Sequence, residues 1–223
     1  MNRTFSLLCK IFAKPLIDAA IIKKISGKKN IPAGNFILAA NHQSNLDHVV
    51  LGCVCFPRSF KFIGQIDGHK GLNNFLVKLF YSLTGVIILD RQNDDSKRIV
   101  LEQAAEFARK GDIIGLYPEG TRSRTGRIGK AKTGVAKIFL DTGLPIVPIA
   151  VKGTFDLMPP HGKLKIKKLV EIIIGQPLYF KKEFRLAKGL SFEDEKYKDL
   201  CQKITDKVMN EISNLANDKP GKN

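Results

Sequence analysis

The chain has 223 residues, 43% of them hydrophobic, enough for one α/β domain with a sizeable core. Its 37 Lys and Arg outweigh 21 Asp and Glu, so the net charge is +16 and the partner is anionic: nucleic acid, an acidic membrane surface, an acidic carrier protein or a phosphorylated substrate. The four cysteines, Cys9, Cys53, Cys55 and Cys201, form no C-x-x-C pair, which excludes a disulfide or metal framework, and no apolar stretch reaches the ~18 residues of a spanning helix.

The first element falls within residues 5–22. Phe5, Leu8, Phe12, Leu16 and Ala19 form one helical stripe, and Lys10, Lys14 and Asp18 lie on the far side. Lys23, Lys24, Lys28 and Lys29 follow at once. This pattern predicts an amphipathic helix on an anionic membrane surface, with residues 1–30 as an N-terminal membrane-associating segment. The alternative is a stripe packed on the domain's own core. Charges interrupt the apolar region and no small-residue cleavage site is evident, which argues against a signal peptide.

From residue 31 to 216 the pattern is one domain, and 217–223 reads as a disordered tail. Predicted strands are Asn35–Ala40, Ser59–Gln65, Gly85–Leu89, Asp112–Tyr117, Pro145–Val151 and Leu164–Ile174. Predicted helices are Asp47–Phe56, Gly71–Leu83, Ser96–Lys110, Lys132–Thr142 and Phe192–Leu215. The alternation predicts an α/β fold with a mixed, largely parallel sheet flanked by helices. The apolar face of Gly71–Leu83 reads as core or, less simply, as the wall of an acyl-chain groove.

The chemistry starts at NHQSNLD, Asn41 to Asp47, directly after the apolar run Phe36-Ile37-Leu38-Ala39-Ala40. His42 and Asp47 therefore fall on a strand-to-helix turn. Their spacing is wrong for one helix face, so the side chains meet only if the backbone turns between them. A His whose second ring nitrogen is held by a carboxylate is an oriented general base. The same letters also fit a capping box, with Ser44 as N-cap and Asp47 three residues on. Both readings stand at this point.

A second strand end carries YPEGTRSRTG, Tyr117 to Gly126. Pro118 and Gly120 force a turn that exposes Glu119, Thr121 and Arg122, with Ser123, Arg124 and Arg127 behind them. Glycine-turn amides and guanidinium forks are the parts that hold a phosphate. A third strand end, GVIILDR, delivers Asp90 and Arg91. A fourth segment, LPIVPIAVKGT, carries Pro145 and Pro148 in an irregular strand, with Gly153 and Thr154 able to face the site.

These four segments, in this order, resemble the 1-acyl-glycerol-3-phosphate acyltransferase family and its glycerolipid acyltransferase relatives. The family's H-x-x-x-x-D block matches His42 and Asp47, and its arginine block matches Gly85 to Arg91. Its F-P-E-G-T-R-S block matches Tyr117 to Ser123, with Tyr117 for the usual Phe, and its P-I-V-P block matches Pro145 to Pro148. The resemblance spans about residues 27 to 155. It implies transfer of a fatty acyl group from acyl-CoA or acyl carrier protein to the free hydroxyl of lysophosphatidic acid, giving phosphatidic acid. It implies His42 as general base, Asp47 as its orienting carboxylate, and Arg91, Glu119, Gly120, Thr121 and Arg122 around the glycerophosphate. No metal and no cofactor beyond the thioester co-substrate are implied. Many bacterial members read F-M-A-K where this chain reads Phe62-Ile63-Gly64-Gln65; Gln65 has no charge, and nearby Lys61 is the substitute candidate. That departure keeps glycerol-3-phosphate or another lysolipid open as acceptor. From another class, a non-catalytic basic module on a membrane surface remains. A nucleic-acid partner is not expected, because the arginines sit at strand ends rather than on one reading element. The expected location is peripheral, on the cytoplasmic face of the cell membrane.

Overall fold

A computed structural model of the protein describes residues 3–64, 85–89, 94–160 and 162–217. Gln65, Asp90, Arg91, the predicted helix Gly71–Leu83 and residues 218–223 of the predicted tail lie outside the described residues. The chain opens with α1 (Arg3–Leu8), a π-helical turn (Cys9–Ala13) and α2 (Lys14–Ala20). It then forms β1 (Ile22–Ser26), β2 (Ile37–Ala40), α3 (Leu46–Cys55), β3 (Phe60–Gly64) and β4 (Ile87–Ile88). There follow α4 (Asp94–Arg109), β5 (Ile113–Leu116), α5 (Gly134–Thr142), β6 (Ile146–Lys152) and the single turn α6 (Thr154–Leu157). The chain ends with β7 (Val170–Ile174), α7 (Lys181–Leu186) and α8 (Glu195–Ala216).

The seven strands form one sheet in the order β1-β7-β6-β2-β5-β3-β4. β2 pairs in parallel with both β5 and β6, and β3 in parallel with β5 and β4. β7 is antiparallel to β6, and β1 is parallel to β7. The predicted mixed, largely parallel sheet flanked by helices is the observed architecture. β2 lies at its centre with every residue buried. Ile37 and Ala39 join the cluster made with α4, α5 and α8, whereas Phe36, Leu38 and Ala40 join the one made with α3 and α6. A strand covered on both faces reads as a continuous apolar run, which is how β2 looks in the sequence.

Two regions depart from the sequence reading. β1 was not expected; it lies inside the segment read as a membrane-associating appendage, yet it is an edge strand of the sheet, with Lys23 paired to Glu171 of β7 at 2.7 Å. The pairing partner is far away in sequence, so local patterning does not announce it. The predicted strand Leu164–Ile174 is ordered as a strand only from Val170. Its first half alternates Lys with apolar residues like a strand, but β6 ends at Lys152, opposite Glu171, and offers no further edge. Gly153, at φ +85°, makes the turn there; a Cβ on it would stand 2.6 Å from the Leu169 carbonyl oxygen.

The N-terminal helical segment presents one side to the core and one to the outside. Phe5, Cys9 and Ile17 pack against the core cluster beneath, while Leu7, Leu8, Ile11, Phe12 and Leu16 face outward. Phe12 is 67% and Leu16 72% exposed. Of the predicted stripe, Leu8, Phe12, Leu16 and Ala19 are all exposed, and only Phe5 turns to the core. No helix among the described residues is long and apolar enough to cross a membrane.

The end of β2 is fixed by Asn41. Its buried amide donates to the Val151 carbonyl at 2.9 Å and accepts from the Val151 N–H at 2.8 Å, so the side chain extends the β2–β6 ladder by one step. Asn41→Ala strands both buried backbone groups of Val151. The expected loss is about 2–4 kcal/mol in urea unfolding, since each unsatisfied buried group costs about 1–3 kcal/mol. A loss under about 0.5 kcal/mol would mean that water takes over both bonds.

Candidate active site

β2 and β5 both run toward one edge of the sheet, so the turns that follow them, at His42 and at Tyr117, meet there. Within the first turn, His42 Nδ1 lies 2.8 Å from Asp47 Oδ2. The same oxygen accepts the Gln43 N–H at 2.7 Å and the Ser44 N–H at 2.8 Å. Asp47 is fully buried. Of the two readings of NHQSNLD, the imidazole–carboxylate contact is the one observed; α3 begins at Leu46 with Asn45 as N-cap and no side-chain cap hydrogen bond, so Ser44 is not its N-cap. The carboxylate still reaches back to the Ser44 amide, and Ser44 Oγ accepts the Leu46 N–H at 3.2 Å. The same carboxylate holds the imidazole. With Nδ1–H donated to Asp47, Nε2 is left with its lone pair.

The second turn brackets His42 on both sides. Glu119 Oε1 accepts the His42 N–H at 2.8 Å, and Oε2 accepts the Gly129 N–H at 2.8 Å. The Ser123 N–H donates to the His42 carbonyl at 2.8 Å, and Gln43 Nε2 donates to the Gly126 carbonyl at 2.5 Å. Burial pushes the Glu119 carboxyl above its ordinary range, against the pull of the two amides that lower it. Each of its oxygens is bonded to a backbone amide, so Glu119 joins the histidine turn to the arginine turn.

Aromatic rings wall the imidazole. Tyr117 stacks on His42 with centroids 3.9 Å apart and planes 11° from parallel. His48 meets Tyr117, Phe62 and His42 edge-on at 5.0, 5.4 and 5.5 Å. Desolvation first, then the neighbouring His42, lowers the His48 pKa to about 4, so it stays neutral at pH 7. Cys53 and Cys55 are buried on α3, and burial pushes each thiol to about 12.

The Gly120 turn gathers basic side chains. Gly120 has φ +65°, a conformation that glycine adopts without strain. Thr121 is exposed and Arg122 half-buried beside it. The charge of Arg122 is near enough to His48 to add to its lowered pKa. Lys132 was not singled out in the sequence. Its ammonium would stand 3.6 Å from a Cβ on Gly120, and its N–H donates to the Pro118 carbonyl at 2.8 Å, so its charge lies over the same turn. The available signal was a lysine opening a helical pattern just after a glycine-rich loop.

Two expected contributors are placed elsewhere. Lys61 does not reach this group: its ammonium sits 4.8 Å from the centroid of Phe107 on α4, on the opposite face of the sheet from Phe62. Alternation along β3 dictates this, since Phe62 points to the histidine side. Thr154 is buried at the start of α6, and that turn touches the site instead through the Met158 carbonyl, which accepts Ser44 Oγ at 2.7 Å. Arg91 lies outside the described residues.

The mixed, largely parallel α/β sheet thus presents a carboxylate-held imidazole and an arginine-bearing glycine turn on one edge. A family profile described as Acyltransferase matches residues 23–152. The chain belongs to the acyltransferase family. It is 32% identical over 184 residues to the chloroplastic 1-acyl-sn-glycerol-3-phosphate acyltransferase BAT2 of Brassica napus, covering 77% of this chain and 49% of that protein. The chloroplastic 1-acyl-sn-glycerol-3-phosphate acyltransferase LPAT1 of Arabidopsis thaliana is also 32% identical, covering 77% of this chain and 48% of its own length. The chain spans about half the length of these relatives. The crystal structure of the 1-acyl-sn-glycerophosphate acyltransferase PlsC of Thermotoga maritima superposes with a TM-score of 0.60 at 25% identity, over 93% of this chain and 78% of that one.

Two outcomes follow from the two buried groups. Glu119→Gln keeps the shape but can accept only one of the two amide protons, so the His42 and Gly129 amides should exchange with deuterium faster than in the parent protein. Unchanged protection of both would show that the carboxylate does not hold the turns. His48 has an ordinary pKa of 6.5 and a folded value of about 4. Because the folded value is depressed, the fold binds fewer protons than the unfolded chain in that window. Stability is therefore lost as pH falls from 6.5 towards 4, with a slope of up to ~1.4 kcal/mol per pH unit from this group. His48→Phe should flatten the slope in urea titrations across that range, and an unaltered slope would assign the acid sensitivity to other groups.

Proposed function

We propose that the chain transfers a fatty acyl group from a thioester, acyl-CoA or acyl carrier protein, to the free hydroxyl of 1-acyl-glycerol-3-phosphate. The products are phosphatidic acid and the free thiol. The observation that carries the reading is the His42–Asp47 pair beside the Gly120 turn, within a chain of the acyltransferase family. The similar proteins of Brassica and Arabidopsis are named for this reaction, which supports the choice of acceptor.

In this reading His42 Nε2 takes the proton of the acceptor hydroxyl as its oxygen attacks the thioester carbon. Asp47 keeps the proton on Nδ1 and stabilises the imidazolium. The tetrahedral intermediate collapses, the carbon–sulfur bond breaks, and the imidazolium returns the proton to the departing thiolate. Nothing is held covalently by the protein. The high thiol pKa of Cys53 and Cys55, about 12 each, supports direct transfer rather than an acyl-enzyme. Arg122 and Lys132 supply positive charge for the acceptor phosphate, Gly120 and Thr121 shape the turn, and Arg91 joins them as the family pattern suggests. Glu119 acts through the two turns it joins.

The substrate is a lipid, and the protein meets it at an anionic membrane surface as a peripheral protein on the cytoplasmic face. The exposed Leu8, Phe12 and Leu16 and the net charge of +16 support this placement.

Thiol release tests the reading with purified protein, acyl-CoA or acyl carrier protein thioester, and lysophosphatidic acid. His42→Ala should fold and lose about 10²–10⁴-fold in turnover, the usual worth of general-base help. A folded variant with near-parental turnover would sink the assignment. Arg122→Ala and Lys132→Ala should each raise the acceptor KM by about 10- to 100-fold, the equivalent of one charge-assisted hydrogen bond. An unchanged KM removes that residue from the phosphate site.

A further inference from the structure

The predicted strand that is missing over residues 164–169 belongs to a loop, residues 162–168 of which have an unusual surface. All seven of these residues are exposed. Leu164 is 52% and Ile166 74% exposed, and they alternate with Lys163, Lys165, Lys167 and Lys168. The loop contains no acidic residue. Two large aliphatic side chains held in water between lysines mark a contact surface rather than a solvated turn.

Its place in the fold is specific. β7 runs antiparallel to β6, so the loop enters β7 at the edge of the sheet where β6 ends. β2 is parallel to β6, so this is also the edge that carries His42. The Lys165 N–H donates to the Leu157 carbonyl at 2.8 Å, and the next carbonyl, of Met158, accepts Ser44 Oγ at 2.7 Å. Leu157 and Leu169 belong to the apolar cluster that Phe5, Cys9 and Ile17 of the N-terminal helices pack against. The loop therefore shares a sheet face with the exposed row Leu8, Phe12 and Leu16, and shares a sheet edge with the histidine turn.

We infer that the loop Gly162–Leu169 docks an anionic phospholipid surface, as a second contact element beside the N-terminal helices. Leu164 and Ile166 enter the acyl boundary, while the lysine stems lie along it and their ammonium groups meet the headgroup phosphates. Charge complementarity selects the occupant: four lysines and no carboxylate in the loop, on a chain of net charge +16. The inference rests on the membrane-surface placement proposed above, and it adds that the histidine edge itself is held against the lipid.

The chain has no Trp, so a single introduced one is an unambiguous reporter. Ile166→Trp and, separately, Phe12→Trp are titrated with vesicles of phosphatidylglycerol and phosphatidylcholine, and with phosphatidylcholine alone. Both should shift to the blue and be quenched by brominated acyl chains in the anionic vesicles. A responding Phe12→Trp with a silent Ile166→Trp overturns the loop's role and leaves the membrane placement standing. Silence of both overturns the membrane placement, and the loop's role with it. The double variant Leu164→Ser, Ile166→Ser should bind anionic vesicles at least ~10-fold more weakly in sedimentation, because two buried aliphatic side chains are lost. Equal affinity overturns the inference.

Discussion

One oxygen organises this protein's chemistry. Asp47 Oδ2 accepts the Gln43 and Ser44 amides and lies 2.8 Å from the His42 imidazole, all from a position with no solvent exposure. A buried carboxylate is costly unless its charge is answered by donors. Here the donors are the turn it has to shape. The amides draw the chain from Gln43 to Asp47 into a tight bend, and only that bend lets a histidine and an aspartate five positions apart touch. Stabilising the charge, closing the turn and setting the imidazole tautomer are therefore one interaction, and none can be varied without the others.

Glu119 repeats the device at the neighbouring strand end with a different result. It spends one oxygen on the His42 amide and the other on Gly129, ten residues further along its own chain. The histidine's side chain is set by Asp47, its backbone by Glu119 and Ser123. Two loops from β2 and β5, each irregular by itself, become one rigid body through these bonds. Desolvation raises the Glu119 pKa, so the join is bought with some strain in its ionised form.

What was legible in the sequence follows physical locality. The contact between His42 and Asp47, the positive-φ turn at Gly120 and the central strands are local patterns, legible because period, turn residue and spacing sit within a few positions; Glu119, read as exposed by that turn, is instead buried, because both its oxygens accept backbone amides from other segments. Lys132 escaped notice because nothing in its own neighbourhood says that its side chain returns over Gly120. Lys61 misled because parity along a strand gives a face but not which face; Phe62, packed on His48, decides it. β1 was hidden because its partner, β7, is separated from it by almost the whole domain. The loop before β7 has the period of a strand, yet period alone makes no strand where no neighbour offers hydrogen bonds.

The same antiparallel step that hid these features decides which segments reach the histidine edge. A parallel sheet buried on both faces leaves only its edges for function. Here the strands from β2 to β6 all run in one direction, so a further parallel strand would begin at the end opposite His42. β7 reverses the direction, so its entering loop, with Leu164 and Ile166, returns to the histidine edge. β1, parallel to β7, must start there too, which brings the end of α2 to the same place. One reversed strand pair thus gathers the histidine turn, the Gly120 turn, the lysine loop and the N-terminal helices without a spanning helix among the described residues. In the proposed function, this is the edge that meets the lipid-anchored hydroxyl.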